Sequence, residues 1–199
     1  MMKQHKQRQD HYARQARDQG YRSRSVFKLK EIQAAHGLIK PGMTVLELGG
    51  APGGWTQVIT KWVTSSGRVV VCDRLAMQPV KGAVIVQGDF CEDETIEQLQ
   101  SLLEQGANVV VSDMAPHLTG DAFQDQVMML NLVEAIVASL PNFLQPNGHL
   151  LCKVFHGGEF ESMRRSIANS FKKVSMIKPN ASRSKSNEVY ILARGFKMC

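Results

Sequence analysis

Cysteine is scarce: Cys72, Cys91, Cys152 and Cys199 are the only four in 199 residues. No two are spaced C-x-x-C and no histidine cluster stands beside them, which argues against a metal site and against a disulfide framework. Cys72 and Cys152 lie in apolar runs, where free thiols behave as small buried hydrophobes. That usage fits a reducing compartment, and a cytoplasmic protein is the expectation. No uninterrupted apolar run approaches the ~20 residues needed to span a bilayer, so no membrane anchor is expected. The first residues lack the apolar stretch of a secretory signal, and Asp10 and Asp18 break the basic segment 3–30 in a way transit peptides avoid. Repeats, low-complexity tracts, sustained heptads and an obvious exposed apolar stripe are also missing. One monomeric domain with its own core is expected, covering residues 21–199 and preceded by a basic, flexible segment 1–20.

What is present is an uneven charge. The net is +6. Residues 1–40 carry ten Lys/Arg against three Asp/Glu, residues 41–159 carry five against thirteen, and residues 160–199 carry nine against two. Two basic ends flank an acidic middle. Brought together in space, they would form one cationic face able to attract a polyanion such as RNA.

Hydrophobic periodicity alternates along the chain. Ser23 or Ser25 can cap a helix carrying Val26, Phe27, Leu29 and Ile32, with Gly37 ending it. Thr44-Val45-Leu46-Glu47-Leu48 reads as a buried strand, and Trp55, Val58, Ile59, Trp62 and Val63 mark the helix after it. Strands follow at 68–73, 83–87, 107–113 and 149–155, with helices at 94–103, at 124–140 and around Phe160 to Phe171. Two last strands at 173–177 and 188–193 lack a helix between them and should pair antiparallel at one edge. The pattern predicts an α/β, Rossmann-like sandwich: a seven-stranded, mostly parallel sheet with helices on both faces and an antiparallel edge strand. Ligands of such a sheet sit at the C-terminal ends of its strands.

Those ends carry the chemistry. The first strand runs into Gly49-Gly50-Ala51-Pro52-Gly53-Gly54-Trp55, where glycines allow a sharp turn and a close approach by a ligand. Glu47 before the loop and Pro52 within it fit a dinucleotide pyrophosphate poorly and a cationic amino acid better. Asp73 and Asp89 end the next two strands and can accept hydrogen bonds from a ribose and from an adenine amino group, with Phe90 beside the ring. Asp113 ends the fourth strand. Lys153 lies inside the apolar run of the fifth, where an ammonium is costly unless paired or functional.

The motifs Arg22-Ser23-Arg24-Ser25, Phe27-Lys28-Leu29, Gly50 to Trp55, Gly88-Asp89-Phe90, Ser112-Asp113-Met114-Ala115-Pro116, Lys153-Val154-Phe155 and Ser184 to Tyr190 closely resemble those of the FtsJ/RrmJ-type 23S rRNA (uridine-2′-O-)methyltransferases. The resemblance spans about residues 12–197. It implies an S-adenosylmethionine-dependent methyltransferase fold, with a cofactor pocket drawn from Glu47, Gly49, Gly50, Pro52, Gly53, Gly54, Trp55, Asp73, Asp89, Phe90 and Asp113. It further implies a catalytic tetrad of Lys28, Asp113, Lys153 and Glu188. The expected reaction is 2′-O-methylation of a uridine in large-subunit ribosomal RNA, with the assembled subunit as partner and no metal. Lys153 would accept the hydroxyl proton, or stay charged and stabilise the developing alkoxide. Arg22, Arg24, Arg183 and Lys185 would hold RNA phosphates. The rival readings are a small-molecule methyltransferase, a non-catalytic RNA-binding assembly factor, an enzyme of tRNA or other RNA, and an NAD-dependent oxidoreductase.

Overall fold

The computed structural model describes residues 11–182 and 186–197. Its seven strands are β1 (Thr44–Leu48), β2 (Arg68–Asp73), β3 (Val84–Gln87), β4 (Ala107–Ser112), β5 (Leu144–Phe155), β6 (Phe171–Ile177) and β7 (Glu188–Phe196). They form one sheet in the order β3-β2-β1-β4-β5-β7-β6. The first five are parallel to one another. The last strand inserts antiparallel between β5 and β6, leaving β6 as the edge.

Alternating side chains of each strand feed two cores. Val45, Val69, Val71, Val109, Val111, Leu151 and Tyr190 point to one face. There they meet α1 (Val26–His36) and α2 (Thr56–Val63). Leu46, Leu48, Val70, Val110, Leu150 and Cys152 point to the other face. That face is covered by α3 (Asp93–Leu103), α4 (Ala122–Phe143) and α5 (Phe160–Ser170). Each buried Val or Leu stabilises the sandwich by roughly 1.5–3 kcal/mol relative to exposure.

Helix boundaries follow local chemistry. Gly37 ends α1 in the left-handed conformation (φ 54°), and its N–H reaches the Gln33 carbonyl at 2.9 Å. Asp121 caps α4, accepting from the N–H groups of Phe123 and Gln124. Pro141 does not stop α4, which runs on to Phe143 because that ring and Leu140 are buried on the sheet. At 22 residues, with an 18-residue window of mean hydropathy 1.2, α4 is long and apolar enough to cross a membrane by length and composition alone. No apolar run of that length was expected. The explanation is the stripe Met129, Val133, Ile136, Leu140, which covers the sheet.

Order also begins earlier than the expected boundary at residue 21. Residues 11–18 are helical. They dock through buried Ala16 and through Tyr12, whose ring centroid lies 5.4 Å from that of Phe27 on α1.

Candidate active site

The C-terminal ends of β1 to β5 gather most of the predicted residues. Lys153 and Tyr190 are directly paired across β5 and β7, and Phe155 pairs with Glu188. The two-residue period of a strand puts Lys153, Tyr190 and Glu188 on the α1/α2 face. Lys28 projects from α1 toward the same face.

Two ion pairs result. Lys28 Nζ lies 3.0 Å from Glu188 Oε2. Lys153 Nζ lies 3.4 Å from Asp113 Oδ1 and donates to the Asp113 carbonyl at 2.5 Å. Lys28 and Lys153 are 8% and 6% exposed, so both Nζ atoms are held where water supplies little competing solvation. Burial pushes the Glu188 carboxyl up. The charge and hydrogen bond of Lys28, aided by Lys153 and Ser186, outweigh it and hold Glu188 below its usual value.

Tyr190 joins the two pairs. Its hydroxyl donates to Asp113 Oδ1 at 2.5 Å, and its ring lies under Lys28, with Nζ 5.8 Å from the centroid. Burial first, then the Asp113 charge, raise the phenol well above its ordinary value. Tyr190 therefore keeps its proton and acts as a donor. Sequence reasoning did not single it out, although it stands two residues after Glu188 on the same strand face.

The glycine loop is shaped largely by its neighbours. A Cβ on Gly53 would come within 2.9 Å of the Arg22 guanidinium, and one on Gly54 within 2.7 Å of Ser23 Cβ. A Cβ on Gly49 would overlap Met114, and one on Gly50 would overlap Val71. These glycines are needed to let the segment 22–25 and the β4 exit lie against the loop. Pro52 is exposed. Trp55 is 2% exposed and gives a ligand almost no surface. Its indole N–H donates to the Ser25 carbonyl at 2.9 Å, and its ring packs 5.9 Å from that of Tyr190. Trp55 thus braces the start of α1 and the tetrad.

Glu47 differs from the expectation of an anionic partner for a cationic ligand. It points inward beneath α2, is 2% exposed, and accepts from Thr56 Oγ1 at 2.6 Å. Burial raises its carboxyl to about 8, only partly opposed by the Thr56 hydrogen bond. At neutral pH it is mostly a neutral acid joining β1 to α2. Phe90 likewise belongs to the core at 8% exposure.

Asp73 and Asp89 remain as partly accessible acids at the sheet edge. Asp73 accepts from the Ala51 and Leu75 N–H groups, each at 2.8 Å, which fixes it beside the glycine loop. Asp89 accepts from Cys91 N–H at 3.0 Å, and Arg74 lies 3.9 Å from its other oxygen. Both keep unused lone pairs, so these acceptors suit the hydroxyls and amino group of a nucleoside.

Of the expected phosphate ligands, Arg183 and Lys185 lie outside the described residues. Arg22 is committed elsewhere: its guanidinium donates to the carbonyls of Pro52, Gln78 and Pro79 at 3.2, 2.6 and 2.7 Å. It fastens the glycine loop to segment 77–80. Arg24 lines a groove of about 1160 Å³ that opens beside Lys28 and Glu188. This exceeds the roughly 300–1,000 Å³ of small-molecule pockets and suits a stretch of polymer. One groove wall, the segment 178–182, is pinned by Glu31. Its carboxylate accepts from the N–H groups of Asn180 and Ala181 at 2.6 and 3.0 Å. Among the described residues, no three His, Cys, Asp or Glu side chains gather as a metal site.

Residues 21–196 match a model of the FtsJ-like methyltransferase family. The fold is shared with a structure from Plasmodium falciparum named as a ribosomal RNA methyltransferase, at TM-score 0.81 and 23% identity over 88% of this chain and 98% of that one. It is also similar to Aeropyrum pernix fibrillarin, whose structure contains natively bound S-adenosyl-L-methionine. There the TM-score is 0.62 and the identity 16%, over 87% of this chain and 75% of that one. Methanococcus jannaschii fibrillarin, described as a pre-rRNA processing protein, aligns at TM-score 0.59 and 11% identity over 81% and 70%.

Proposed function

The chain belongs to the FtsJ-like methyltransferase family, and we propose that it methylates the ribose 2′-hydroxyl of a uridine in large-subunit ribosomal RNA, using S-adenosylmethionine. The observation that carries this reading is the tetrad. Lys28 and Glu188 line a polymer-sized groove, and Tyr190 joins that pair to Lys153–Asp113 at the strand ends. A ribose hydroxyl is a poor nucleophile whose proton must be taken, and a buried amine beside a carboxylate suits that task.

Bound S-adenosylmethionine supplies a methyl already activated by its sulfonium. The protein's own work is alignment and the handling of one proton. Asp73 and Asp89 hold the nucleoside part, and Asp73 is itself held by the glycine loop. The glycine loop near Asp113 would hold the cofactor's amino-acid end. Glu47 contributes by keeping α2 on β1 rather than by charge. Lys153, as the free amine, accepts the hydroxyl proton, and the ammonium so formed is stabilised by the Asp113 carbonyl and carboxylate already within reach. Tyr190 fixes that carboxylate. Lys28 and Glu188 orient the ribose from the α1 side. Arg24 and the basic ends draw in the phosphate backbone. The assembled large subunit is the proposed partner, the cytoplasm the proposed location and a monomer the proposed state.

The test is transfer of labelled methyl to large ribosomal subunits from cells lacking the endogenous activity, followed by digestion and identification of the labelled nucleoside. The expected product is 2′-O-methyluridine. Label on a base atom would overturn the tetrad chemistry while leaving the family assignment intact. The variant Lys153→Ala should lose roughly 10²- to 10⁴-fold in turnover, the usual contribution of a positioned base, while RNA binding survives.

A further inference from the structure

The groove beside the tetrad has two unlike walls. One carries Tyr12, Arg24, Lys28 and Lys178. The other carries Leu118 and Phe123, with the carboxylate of Asp125 beside them. Leu118 is 55% exposed and Phe123 is 71% exposed, an unusual placement for two large apolar side chains.

These two are not left out by a loose loop. Thr119 donates to Asp125 Oδ1 from both its N–H and its hydroxyl, at 2.7 and 2.9 Å. The Asp121 N–H donates to Thr119 Oγ1 at 3.1 Å, and Asp121 in turn caps Phe123 and Gln124, both at 2.9 Å. The segment is tied at each turn, and it presents the ring of Phe123 to the groove at the start of α4.

Charge decides what each wall can receive. The wall with Arg24 and Lys178 attracts phosphates. The wall with Asp125 repels them and offers the apolar surface of Leu118 and Phe123. A strand of RNA in this groove therefore lies with its backbone toward Arg24 and Lys178 and its bases toward Leu118 and Phe123. We propose that Leu118 and Phe123 form a stacking shelf for an unpaired nucleobase next to the ribose that is methylated. The proposal rests on the reading of the chain as a ribose methyltransferase of RNA. It adds that the target segment enters single-stranded, with a neighbouring base splayed onto Phe123, because a paired base has no free face to offer.

The experiment compares wild type, Phe123→Ala, Phe123→Trp and Leu118→Ala in methyl transfer to the same large subunits, measuring KM for RNA, kcat and the dependence of KM on salt. Phe123 is exposed, so its truncation leaves the core intact, and equal melting temperatures will check this. Loss of one base–aromatic stack should raise KM for RNA roughly tenfold to hundredfold in Phe123→Ala. Phe123→Trp should restore it, kcat should change little, and the salt slope should stay that of wild type because no phosphate contact is lost. An unchanged KM in Phe123→Ala, with wild type active, would sink the shelf alone. A reduced salt slope would move Phe123 to the phosphate track and equally overturn it. If wild type transfers no methyl to ribose, the function itself fails and the shelf fails with it.

Discussion

Glu47 makes the sharpest physical prediction. Its carboxyl is raised from 4.5 to about 8 by burial under α2. An acid whose pKa is higher folded than unfolded binds its proton more tightly in the native state. Stability is then fully present below about pH 4.5 and is lost as pH rises through about 8, where the native carboxyl must ionise in place. At about 1.36 kcal/mol per unit, the whole window is worth roughly 5 kcal/mol. Between pH 5.5 and 8.5 the loss attributable to Glu47 is about 3 kcal/mol. Glu47→Gln keeps an acceptor for the Thr56 hydroxyl and removes the titration. Urea unfolding of both proteins, under reducing conditions, isolates the difference. With a slope of about 2 kcal/mol per molar urea, the wild-type midpoint should fall about 1.5 M further than the variant's over that range. Parallel midpoint curves would refute the reasoning and would mean that Glu47 is ionised in the native protein.

Two further predictions concern positioning. Tyr190→Phe removes the hydroxyl that restrains Asp113. With a hydrogen bond to a charged group worth roughly 1.5–3 kcal/mol, it should lower kcat about tenfold or more without raising KM for RNA, and it should alter the pH–rate profile, which a purely structural defect would not. Glu31→Ala frees the N–H groups of Asn180 and Ala181 and loosens one groove wall. KM for RNA should rise several-fold while cofactor affinity, measured by calorimetry, stays within about twofold. A change in cofactor affinity would contradict a role confined to the groove.

The strand–helix alternation, the acids at successive strand ends and the lysine in the fifth strand were all legible, because each depends on local periodicity or on a residue type costly to bury. Four things were not. The inward turn of Glu47 depends on which face of β1 lies under α2, and an acid reads the same from either side. The packing of Gly53 and Gly54 against Arg22 and Ser23 was not visible either, since those residues come from a segment about 30 residues earlier. Tyr190 was hidden by its type. A tyrosine in an apolar strand looks like core, and its ring is core, but its hydroxyl reaches Asp113, 77 residues away. Placing β7 between β5 and β6 likewise required knowing how a late strand inserts, which no local pattern encodes.

That insertion has a consequence for the order in which the protein becomes competent. Lys28 meets Glu188 across 160 positions of chain, and Glu31 meets Asn180 across 149. Contacts of such separation close large loops and tend to form late in folding. The β1 to β4 part of the sheet, with Asp73 and Asp89 at its edge, pairs with no residue of β7. A growing polypeptide therefore builds its nucleoside-holding half first, and the Lys28–Glu188 pair and the Tyr190 bridge to Asp113 are completed only when the last strand slides into its slot. Catalytic activity then reports the final step of folding, and refolding followed by methyl transfer should lag behind refolding followed by the fluorescence of Trp62 on α2.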